Sequence, residues 1–133
     1  MYKFEKLRVW SDGLLLIKSC YQLCKYLPKS EEMGLISQLK RSSTSICLNI
    51  AEGSGAENDL EFKRYLYIAK KSLFEVVGTV KVIENLYQLE IEPVITASEL
   101  VGKQLSSLIK YLKNDKSNDQ ESMSNSAIQT TNS

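Results

Sequence analysis

Leu7, Trp10, Leu14, Ile17, Tyr21 and Cys24 recur at alternating spacings of three and four residues, the seam of an α-helix packed in a bundle. A second seam of Leu16, Cys20, Leu23 and Leu27 runs one step round the same helix. Together they form an apolar arc wider than one neighbouring helix covers. Pro28 is expected to end this helix. Ser30 is placed to cap a second helix, with Glu31 and Glu32 in a first turn where the helix dipole favours carboxylates. Its buried stripe is Leu35, Leu39, Ile46 and Ile50. Asn58, followed three residues later by Glu61, resembles a capping box that opens a third helix. There Phe62, Leu66, Ala69, Leu73, Val76, Val80, Ile83 and Tyr87 alternate four and three throughout. Roughly thirty residues at 1.5 Å each give that helix a length of about 45 Å. Pro93 is acceptable in the first turn of a fourth helix, whose stripe is Val94, Ala97, Val101, Leu105, Leu108 and Leu112.

The connections near Lys29, Gly55 and Ile91 are only a few residues long, which forces consecutive helices to run antiparallel. The expected fold is therefore all-α: an up-down-up-down four-helix bundle over residues 1–114. Beyond Asn114 the composition turns to Asp, Ser, Asn, Gln and Thr, with Met123, Ala127 and Ile128 isolated among them. Such a segment cannot repay its ordering entropy, so residues 115–133 are expected to be a disordered C-terminal tail.

Composition narrows the function classes. The chain has 133 residues, 43% hydrophobic and 25% charged, with a net charge of +1, as expected for one globular domain. Its uninterrupted apolar runs, such as residues 14–17, are far below the ~18 needed for a membrane span. Charges at Lys3, Glu5 and Lys6 occupy the place of a secretory signal's apolar region, so a cytoplasmic location is expected, without membrane partners. The sequence contains no histidine, which removes Ser-His-Asp and Cys-His nucleophile systems, metalloprotease helices and mixed Glu/His di-metal bundles. Cys20, Cys24 and Cys47 lie inside apolar periodic patterns and read as reduced core residues. No cofactor or metal is implied. Glu52, Glu75 and Glu84 are the carboxylates an enzyme reading would use, yet nothing in their spacing separates them from ion-pair partners. No enzymatic activity is expected.

On the second helix Gln38, Arg41, Ser42, Ser45, Asn49 and Glu52 line one flank of the apolar arc. A packing role accounts for them: the serines, with Ser43, allow close helix approach, Asn49 bonds a neighbouring backbone, and Arg41 pairs with a carboxylate. The same stripe carries a resemblance. Residues 38–53 read Gln-Leu-Lys-Arg-Ser-Ser-Thr-Ser-Ile-Cys-Leu-Asn-Ile-Ala-Glu-Gly, which resembles the signature of the bacterial four-helix-bundle family encoded in 23S rRNA intervening sequences. The opening Phe4-Glu5-Lys6-Leu7-Arg8-Val9-Trp10, the turn with Leu27-Pro28 and Gly34-Leu35, and Glu61-Phe62 with Ala69, Ser72 and Glu75 match it in order, to about residue 112. Ala56 stands where members often carry a basic residue, and Lys71 where many have glycine. The resemblance implies a homo-oligomer, a pentamer, without enzymatic activity. It also implies a shape similar to the accessory variability determinant of diversity-generating retroelements, which binds nucleic acid and a reverse transcriptase.

Two functions remain. In one, the oligomer binds nucleic acid or a nucleic-acid enzyme. Without Asp115, Lys116, Asp119 and Glu121 of the tail the bundle carries +3, a weak electrostatic footprint, but a ring would gather the adjacent basic pairs Lys40-Arg41, Lys63-Arg64 and Lys70-Lys71. In the other, the chain is purely a protein-interacting scaffold, with the wide arc of the first helix and Tyr67, Phe74, Leu86 and Leu89 as subunit contacts.

Overall fold

A computed structural model describes residues 1–121, with side chains described as far as Leu112. Four helices follow one another: α1 Arg8–Cys24, α2 Leu35–Ser54, α3 Asp59–Tyr87 and α4 Glu92–Glu121, with short 3₁₀ turns at Lys3–Lys6 and Lys29–Glu31. Among the described residues there is no strand. Each helix packs against two others in the cyclic order α1, α2, α3, α4, and the diagonal pairs do not approach. This is the expected antiparallel four-helix bundle.

The long pattern of α3 is realised in full over 29 residues. Leu66, Ala69, Val76, Val80 and Ile83 are completely enclosed, and Tyr87 closes the series half-buried. Asn58 caps the helix by accepting the Glu61 N–H at 2.9 Å. The reciprocal half of a capping box is replaced by an ion pair, since the Glu61 carboxylate turns to Arg64 at 3.5 Å. At the other end Gln88 takes the left-handed conformation at φ 51°, where its N–H reaches Glu84 O. Pro93 sits in the first turn of α4, as its fixed φ allows. On α4, Val94, Val101, Leu105, Ile109 and Leu112 are buried, whereas Ala97 and Leu108 are half-buried at the edge of the stripe.

Three details differ from the sequence expectations. On α1 the second seam is the core seam: Leu16 and Cys20 are fully buried and Leu23 nearly so, while Leu14 is 41% and Tyr21 39% exposed. A helix in a four-membered ring turns only one arc inward, and Gly13, whose added Cβ would lie 2.7 Å from Cys47 Sγ, fixes which arc that is. Helix α1 also ends at Cys24, before Pro28. Ser30 does not cap α2; it lies in the 3₁₀ turn, and α2 begins at Leu35. The capping acceptor is Glu31, whose Oε1 takes the Leu35 N–H at 3.1 Å from four residues back. Helix α4 runs from Glu92 to Glu121, with its side chains described only as far as Leu112. The tail expectation for residues 122–133 lies outside the described residues.

Candidate interaction surfaces

Small residues let α2 and α3 lie close. A Cβ on Gly53 would stand 2.6 Å from Tyr65 Cβ, and Ser42 and Ser72 are buried between the helices. The polar stripe of α2 fills this seam. Gln38 Nε2 donates to Glu75 Oε2 at 2.7 Å, and the Ser45 and Ser72 hydroxyls lie 2.8 Å apart. Asn49 Nδ2 donates to Ser45 O at 2.8 Å and to Ser45 Oγ at 3.1 Å, so its amide bonds its own helix instead of a neighbour. Ser42 Oγ likewise donates to Gln38 O at 2.9 Å. These bonds occupy the polar groups with one another, which is what a packing seam needs.

Arg41 and Glu52 stand apart from this network. Arg41 is exposed and makes no ion pair with a described residue. Glu52 lies at the mouth of a cleft of about 410 Å³ at the α2–α3 turn, lined also by Ala56, Glu57, Asn58, Glu61 and Tyr65. Three carboxylates and no cation make that cleft unsuited to phosphate. Among the described residues no group of three acidic or cysteine side chains could hold a metal ion.

The adjacent basic pairs are separated by the helical twist. Lys40 sits with its Nζ 4.7 Å above the Tyr21 ring, whereas its neighbour Arg41 points to solvent. On α3, Lys63 and Lys70 share one helical face, while Arg64 and Lys71 lie about 100° round the helix. Lys70 belongs instead with Lys81. Both line a groove of about 390 Å³ between α3 and α4, together with Leu73, Phe74, Ser98 and Gly102. Sequence inspection by adjacent pairs missed Lys81; the spacing of Lys63, Lys70 and Lys81 on one helical face was the signal.

Other polar links hold the ends of the bundle. Gln104 Nε2 donates to Asp12 Oδ2 at 2.7 Å, joining α4 to α1. Tyr87 Oη donates to Glu31 Oε2 at 2.5 Å, and this bond, with that from Leu35, holds the Glu31 carboxyl below its ordinary pKa. The same carboxylate pushes the Tyr87 hydroxyl upward. The cysteines are reduced and buried as expected. Burial pushes Cys20 up to about 12 and Cys47 up to about 11, and raises Cys24 as well.

The bundle, the small-residue seam and the motif stripe together cover the region in which the sequence model of a family described as 23S rRNA-intervening sequence protein matches residues 5–114. The chain belongs to that family. The match spans all four helices up to the point where side chains cease to be described, so the family pattern is a pattern of the whole bundle. No curated protein gives a significant match. For this intervening-sequence protein the motif residues Gln38, Ser42, Ser45 and Asn49 are placed in helix packing, and only Arg41 and Glu52 face away from it.

Proposed function

We propose that this intervening-sequence protein is a non-enzymatic, cytoplasmic, homo-oligomeric scaffold that binds nucleic acid or a nucleic-acid-processing partner. The supporting observation is the chemistry left on the outside. Leu14 and Tyr21 on α1, and Ile68, Val82 and Leu86 on α3, are 39–58% exposed, on helices at diagonal corners of the bundle. Exposed apolar stripes of this kind mark contact surfaces. Two unlike stripes on opposite corners suit head-to-tail association, which closes into a ring; the family resemblance supplies five as its number. The placement of the motif stripe in packing favours a structural over a catalytic role for those residues. Among the described residues no helix is long and apolar enough to cross a membrane, which fits a scaffold that works in aqueous surroundings.

The nucleic-acid part is supported by Lys63, Lys70 and Lys81 on one face of α3, which a ring would repeat around its circumference. The test is retention of the native assembly on immobilised RNA and DNA as salt is raised. Retention that weakens steeply with salt is expected; no retention at low salt would leave the purely protein-interacting scaffold in its place.

A further inference from the structure

Resting on the nucleic-acid reading above, we infer that the α3–α4 face is a binding track for unpaired, single-stranded nucleic acid, with Phe74 as a base-stacking platform and Lys63, Lys70 and Lys81 as phosphate contacts. At about 100° per residue, Lys63, Tyr67, Lys70, Phe74 and Lys81 fall within an arc of about 60° on α3. Their successive rises along the axis are about 6, 4.5, 6 and 10.5 Å. Cation, aromatic, cation, aromatic and cation therefore alternate along one line. Phe74 is 70% exposed and Tyr67 43%, so both side chains are open to solvent.

The ground beside this line is a groove. Its floor includes Leu73, Val77, Ile95 and Gly102, Lys70 and Lys81 stand on one wall, and Glu99 on the other. Gly102 keeps the floor low, since a Cβ there would press to 3.2 Å from Leu73 Cδ2. Ser98, also in the floor, is 2% exposed, and its hydroxyl has no hydrogen-bond partner among the described residues. A base lying over Gly102 would rest on this apolar floor, while the flanking Phe74 ring takes the base face.

The strand must be unpaired for this to work. In a duplex the base faces are already stacked on one another and unavailable to a side chain, whereas a single strand offers a π-face at every nucleotide. An apolar floor with one buried hydroxyl also serves a base better than it serves a phosphate, and the lysines at the rim serve phosphates. Of the adjacent basic pairs, Lys40 and Arg41 lie on α2, and Arg64 and Lys71 lie about 100° round α3 from this line.

The experiment is fluorescence anisotropy of the full-length native assembly with a labelled single-stranded oligouridylate and with a hairpin duplex of equal charge. Wild-type protein should prefer the single strand, with a slope of log affinity against log salt of at least about −2 for three phosphate contacts. Phe74→Ala should weaken the single strand by about 5- to 150-fold, and Phe74→Tyr should retain most of the affinity. Lys70→Gln and Lys81→Gln should each flatten the salt slope by about 0.7, and Lys71→Gln should leave it unchanged. Wild-type binding that is indifferent to Phe74, Lys70 and Lys81 would overturn this track while sparing the proposed function. Absence of binding to either probe would overturn both. An altered assembly mass in Phe74→Ala would make the face a subunit contact and overturn the track.

Discussion

Replacing Ser45 and Ser72 separately and together tests whether the motif stripe is a packing seam. Their hydroxyls lie 2.8 Å apart, with Ser72 9% exposed, and Asn49 Nδ2 adds a 3.1 Å bond to Ser45 Oγ. Ser45→Ala removes the bond to Ser72, about 0.5–1.5 kcal/mol, and the longer bond from Asn49, whose amide keeps Ser45 O, and it leaves the Ser72 hydroxyl without its partner across the seam. That second cost is below the usual ~1–3 kcal/mol for a stranded group, because a helical serine can turn back to the carbonyl four residues earlier. Alanine recovers up to about 0.5 kcal/mol of helix propensity. Each single variant should therefore lose about 1 kcal/mol. The double variant removes both partners and gains propensity twice, so it should lose no more than either single, a coupling of about 1 kcal/mol. Urea melts at one fixed protein concentration measure this, since any self-association would make apparent stability depend on concentration. Additivity within about 0.3 kcal/mol would refute the shared bond and return these serines to consideration as a binding surface.

Two helical glycines should respond in opposite directions. Gly53→Ala drives a Cβ to 2.6 Å from Tyr65 Cβ and should cost about 1–3 kcal/mol, while Gly78→Ala meets nothing within 4 Å and should gain about 0.5–1 kcal/mol, both read from thermal melts. The lowered pKa of Glu31 means that its contribution is present above the unfolded-state value and lost as pH falls through the folded one. Raised Tyr87 acts on the alkaline side: its contribution holds below the unfolded-state value and is lost as pH rises through the folded one. Stability of Tyr87→Phe against pH should thus be flatter at both limits, and an unchanged profile would refute the link. The buried thiols Cys20, Cys24 and Cys47 should resist a thiol reagent at neutral pH until the chain unfolds, as followed by absorbance with and without denaturant.

The bundle was legible because α3 and α4 each carry one long apolar stripe, and periodicity of 3.6 leaves such a stripe a single inward face. Helix α1 was less so: with two seams, the sequence alone does not say which one the other helices meet, and that choice depends on the fit of Gly13 against Cys47. The start of α2 escaped for a different reason. A serine just before a helix is a familiar cap, whereas the Glu31 carboxylate reaches forward from within a 3₁₀ turn, a tertiary arrangement that also needs Tyr87 from the end of α3. In the motif stripe, residue types announced a polar flank, but not that Gln38 would find Glu75 or that Asn49 would bond within its own helix. The lysine line on α3 was available from spacing and hidden by attention to adjacent pairs.

The proposed self-association through unlike apolar corners of one bundle is tested most directly by the mass of the native particle in dilute solution. Light scattering at micromolar concentration should give five times the 15.1 kDa of one chain, with both Leu14→Glu and Val82→Glu reducing it. A particle of 15.1 kDa would contradict the assembly, and a stable dimer would contradict head-to-tail closure into a ring.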